Sequence, residues 1–164
     1  MAATVNELCR EVTRFAEEIA NGSGRKCLFS GVPIEYEIDP GEGLVKVRCS
    51  GSFTIDQMIR HSLRVNEDPR FKPGMDTLID FRHADLADDV EALSRYVDHS
   101  SELAQFRGSS RWACLVADEF DSDLIWTFDL VVRSRGIDIK TKAFLDESAA
   151  LAWLAEPKDG MSWA

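Results

Sequence analysis

No apolar run in this sequence approaches the roughly 20 residues that a membrane-spanning helix requires, and 29% of its residues are charged. Stable membrane insertion is therefore not expected. No cysteine pair has C-x-x-C spacing. Cys9, Cys27, Cys49 and Cys114 lie far apart, with no histidine beside them at metal-ligand spacing, and read as reduced, partly buried thiols. No metal or cofactor is expected. Positive charge is scarce: 19 Lys and Arg against 29 Asp and Glu leave a formal charge of -10, which repels phosphate backbones and anionic headgroups alike. Nucleic acid is excluded as a partner on that ground. The segment MAATVNELCREV lacks the basic-then-apolar pattern of a secretory leader, so the cytoplasm is the expected compartment.

Catalytic motifs are missing as well. His61, His83 and His99 are the only histidines, and no serine or cysteine sits in a G-x-S-x-G elbow. The segment NGSGRKCLFSGVP (21–33) has glycines and a lysine but not the order of a phosphate-binding loop. It reads as a linker.

What is present is a soluble α/β pattern. The chain of 164 residues, 45% of them hydrophobic, is long enough for one core that buries roughly two thirds of the unfolded surface. Thr4 and Glu7 form a capping box ahead of Val5, Leu8, Val12, Phe15 and Ile19, so residues 1–33 read as an amphipathic helix plus linker. That helix either packs on the domain or serves as a dimerisation arm. Ile34 to Ile38 and Leu44 to Cys49 alternate around an Asp-Pro-Gly turn, which predicts a β-hairpin. Thr54 and Gln57 then open a helix with Ile55, Met58, Ile59 and Leu63 on its buried face.

From Asp76 onward, strands and helices alternate, the signature of parallel strands joined by helical crossovers. TLIDF (77–81) and WACLVA (112–117) lack strict alternation and belong in the middle of the sheet, whereas IDIKTKAF (137–144) alternates and carries edge lysines. Helices are predicted over 88–106, 121–135 and 147–155, the last burying Leu151 and Leu154 with Trp153 partly covered. Residues 157–164 read as a tail, leaving 34–156 as the main domain.

Ligands of open α/β sheets bind outside the carboxyl ends of the strands, and here those ends are acidic. Asp80, His83, Asp85 and Asp118 form the candidate strand-end site, for a cation, a phosphoacceptor or a general base. The competing role for the acidic residues is helix capping, by Asp88, Asp121 and Asp146. The helix 121–135 offers a different candidate. Leu124, Ile125, Phe128, Val131 and Val132 share one stripe, while Trp126 and Leu130 project to the other side, an aromatic-aliphatic pair that either anchors an interface or is covered by the N-terminal helix.

Gly51-Ser-Phe-Thr54, Leu78-Ile-Asp-Phe81, the strand Ala113 to Asp118 and the ending AFLDESAALAWL (143–154) together resemble the SpoIIAA-like (STAS) family, in its divergent STAS/SEC14-type bacterial branch. The resemblance covers about 34–156. It implies a mostly parallel mixed sheet with an initial hairpin, preceded here by an extra N-terminal helix. In members that regulate sigma factors, a phosphorylatable serine opens the helix after the TLIDF strand; here that place falls on Asp88 and Asp89, so no phosphorylation cycle is implied. Asp89 either mimics a phosphoserine or caps the helix. The resemblance implies a non-catalytic interaction or regulatory module with a protein partner or homodimer. The alternative is a carrier or sensor of a small apolar, lipid-like ligand, with a metal-dependent enzyme behind both. A cavity bordered by Phe81, Phe106 and Trp112 would favour the carrier.

Overall fold

A computed structural model describes residues 33–86 and 92–158, without the side chains of 119–121. The N-terminal helix, Asp88, Asp89 and the end of the tail lie outside the described residues. Within them the order is β1 (Ile34–Asp39), β2 (Leu44–Phe53), α1 (Ile55–Glu67), β3 (Asp76–Leu86), α2 (Leu93–Arg107), β4 (Ser110–Leu115), α3 (Glu119–Ser134), β5 (Ile139–Phe144) and α4 (Glu147–Ala155). The five strands lie in sequence order, with β1 antiparallel to β2 and the other pairs parallel. The mixed, mostly parallel sheet with its hairpin is the expected one, with β5 at an edge. No helix among the described residues is long and apolar enough to cross a membrane.

Right-handed crossovers that all step the same way across a sheet leave their helices on the same face. One large core accordingly packs α1, α2 and α3 on Val45, Val47, Ile79, Trp112, Cys114 and Ile139. The short α4 covers the opposite face only at Leu44, Leu78, Ala113 and Leu115. Thr54 caps α1 as expected, its hydroxyl accepting from Gln57 N at 3.2 Å while Gln57 Oε1 accepts from Thr54 N at 2.8 Å. The buried face of α1 also includes His61, Ser62 and Val65, which apolar periodicity alone did not reveal.

Several boundaries and faces differ from expectation. β3 runs five residues beyond TLIDF, because β2 continues to Phe53 and pairs with that extension. β4 begins at Ser110, two residues before WACLVA. α3 opens at Glu119, so Asp121 falls inside its first turn, and Val131 is exposed beside Leu130. On α4, Trp153 is buried and Leu151 exposed, the reverse of the expected roles, because Trp153 packs at a tilt against Phe144 and beneath Arg111. Asp146 does cap α4, accepting from Ala149 N at 2.9 Å.

The C-terminal segment is tied down as far as Lys158. Buried Arg111 bonds Asp76 through its backbone N–H (2.7 Å), Nε (3.2 Å) and Nη2 (2.9 Å). Its guanidinium also donates to the carbonyls of Trp153 (2.9 Å), Leu154 and Glu156 (3.0 Å), closing the end of α4. Lys158 Nζ reaches Asp76 Oδ1 at 2.9 Å and Gly74 O at 2.7 Å.

Candidate functional site

The phase of β3 decides what stands at the strand ends. Between Asp80 and His83 it takes three steps while β2 takes two, from Arg48 to Ser50. One extra residue exchanges the faces beyond it. Ile79 and Phe81 face the helices before the shift, and Ala84 and Leu86 join them after it, leaving His83 and Asp85 exposed.

The side chains turned inward border a cavity of about 120 Å3 between the sheet and the N-terminal halves of α1, α2 and α3. Phe53, Ile55 and Met58 close one side, and Leu124, Ile125 and Phe128 another, with Trp112 and Cys114 as the floor. The position, outside the carboxyl ends of parallel strands, is where such sheets bind ligands. Its chemistry is the opposite of the acidic one expected. Trp112 Nε1 and Thr141 Oγ1 border it as buried polar atoms without a hydrogen-bond partner. Phe106, the third expected border residue, is 54% exposed and takes no part.

A second, smaller cavity of about 20 Å3 adjoins the first and shares Met58, Ile79, Tyr96 and Trp112 with it. Its polar border is His61, Ser62, Thr77 and Arg107. Burial and the Arg107 charge lower the pKa of both His61 and His99 to about 4, so both rings are neutral at physiological pH. The Cys49 thiol, buried beneath the same sheet face, is pushed up to about 12, and Cys114 is raised further still, so neither is a nucleophile.

The solved structure of an uncharacterized protein from the DUF3478 family, from Shewanella loihica PV-4 and described as having a SpoIIAA-like fold, matches this arrangement with a TM-score of 0.52. It is 19% identical in sequence, and the match covers 74% of this chain and 91% of that one. The fold is SpoIIAA-like. No family model and no curated protein matches the sequence.

On the SpoIIAA-like sheet the four expected strand-end residues do not form one site. Asp80 lies on the face opposite the cavity, where Arg82 clamps it through Nε (3.0 Å) and Nη2 (2.8 Å), holding the carboxyl below its ordinary pKa. Arg82 also reaches Glu147 at 3.2 Å. These groups border an open polar groove of about 310 Å3 with Glu35, Glu37, Lys46 and Arg48, over strands that α4 is too short to cover. His83 and Asp85 stand in β3 itself rather than in a loop, and Asp118 is exposed at the entry to α3. No group of three His, Cys, Asp or Glu side chains among the described residues is placed to hold a metal ion. Trp126 and Leu130 are exposed, at 62% and 40%, on the outer side of the helix whose inner side borders the cavity.

Proposed function

We propose that the chain is a non-catalytic carrier or sensor of a small apolar molecule, which it holds in the cavity at the strand ends. The observation that supports this reading is the cavity itself, apolar on almost every side and placed where parallel sheets take ligands. Its size is close to that of an engineered protein cavity of about 150 Å3 that stays dry and binds benzene, so a ring or a short branched chain fits. Native mass spectrometry of the full chain, purified gently from its own cells, tests it. The expected spectrum shows one non-covalent adduct of about a hundred daltons or more. Ala84→Phe, which places a ring in the cavity, is expected to remove that adduct at a cost in stability of no more than about 1–3 kcal/mol. A protein free of adduct, or an adduct retained by A84F, would overturn the reading.

A second reading, favoured by the exposed Trp126 and Leu130, is an interaction module that forms a homodimer through the outer side of α3. Changing both residues to serine is expected to convert the assembly to monomer in sedimentation analysis, with an unchanged far-UV spectrum. An unchanged sedimentation coefficient would remove this interface. The two readings are compatible, since one helix carries both faces.

A further inference from the structure

We propose that the ligand is an acid, its apolar body lying in the larger cavity and its carboxylate meeting Arg107 across the smaller one. The inference rests on the cavity reading above and adds a charged end to it. Arg107 is 4% exposed and has no carboxylate partner among the described residues. Its guanidinium carbon lies 5.1 Å from the ring centre of Phe71 and 5.2 Å from that of Trp112. Those rings attract its charge, but they do not take the place of oxygen acceptors for its N–H groups. Among the described residues its acceptor is Thr77 Oγ1, at a long 3.5 Å from Nη2, and Nε has none.

The Trp112 ring beside it carries a second orphaned donor, Nε1, and the neutral His99 ring has an unpartnered Nε2. Leaving a buried cation uncompensated is costly, and a guanidinium with an orphaned Nε beside an orphaned indole N–H is the complement of an anion. The fixed geometry of a guanidinium suits a planar carboxylate, which takes two parallel N–H bonds. Between the two cavities stand Met58, Ile79, Tyr96 and Trp112, and Met58 is an unbranched thioether whose rotation joins the apolar space to the cationic one. The net charge of -10 does not forbid an anion there. Surface charges are screened beyond about 8–10 Å at physiological salt, whereas a buried cation acts at contact.

The test is isothermal titration of the full chain with three probes: benzoate, benzyl alcohol and acetate. Benzoate is expected to bind at least ten-fold more tightly than either of the others. In Arg107→Met that preference is expected to vanish while benzyl alcohol binds as before. Equal binding of benzoate and benzyl alcohol to the unmodified protein overturns the acid but keeps the apolar pocket. Acetate binding as tightly as benzoate, or none of the three binding at 10 mM, overturns both readings. Should R107M fail to fold, the ranking of the probes on the unmodified protein decides alone.

Discussion

Replacing Arg111 with methionine is expected to cost about 3–5 kcal/mol of folding stability, the range found when one partner of a buried ion pair is removed. The magnitude follows from what is left behind. Asp76, buried at the start of β3, loses bonds of 3.2 and 2.9 Å from the guanidinium and, among the described residues, keeps the Arg111 backbone N–H and Lys158. At the same time the carbonyls of Trp153, Leu154 and Glu156 lose their donor, and the negative end of α4 loses its cation. The helix ends at Ala155 with no glycine cap, so no local motif replaces the arginine. Urea denaturation measures the loss directly, as a shift of midpoint at constant slope. A loss under 1 kcal/mol would mean that α4 is held by Leu154 and Trp153 packing alone.

That arginine also shows where the sequence stops being legible. Alternation, turn chemistry and capping residues place the hairpin, α1 and the parallel strands correctly, because each is a local signal: Asp39-Pro40-Gly41 for the turn, Thr54 with Gln57 for the cap. Arg111 and Asp76 are 35 residues apart and meet only when β3 and β4 pair. Nothing local distinguishes Arg111 from a surface arginine, nor Arg107 from the usual basic residue in the last turn of a helix.

The arrangement of the strand ends was hidden for a related reason. Composition makes those ends acidic, whereas the register shift after Asp80 turns Ala84 and Leu86 inward and His83 and Asp85 outward. The bulge does mark the hydrophobic pattern of β3, whose apolar positions pass from Ile79 and Phe81 to Ala84 and Leu86, but a broken alternation reads as the end of a strand until its partner is known. That partner is β2, where Gly51-Ser52-Phe53 continues past the expected Cys49 and gives β3 something to pair with. The outward direction of Trp126 and Leu130, by contrast, is legible because a helix keeps its period whatever packs on it.

Between pH 6.5 and pH 4 the protein is expected to lose several kcal/mol of stability, about 3 kcal/mol of it from His61, at roughly 1.4 kcal/mol per pH unit. The sign follows from the two rings. His61 and His99 have folded-state pKa values of about 4, below the ordinary 6.5, because burial and the Arg107 charge disfavour their protonated forms. Below pH 6.5 the unfolded chain takes up protons that the folded chain refuses, so stability is fully present above 6.5 and is lost as pH falls through 4. The window is distinct from that of Asp68, whose carboxyl is held at about 2 by Arg70 and yields only in stronger acid. Denaturant midpoints at half-unit steps of pH give the curve. His61→Phe, which replaces the imidazole facing Tyr36 by an uncharged ring, is expected to flatten it, and Arg107→Met is expected to make the loss smaller and end it at a higher pH, because without that charge the folded-state pKa values of both histidines rise toward the unfolded 6.5. A curve that is level from pH 6.5 to 4.5 would place both imidazoles in contact with water and remove the isolation on which the Arg107 site depends.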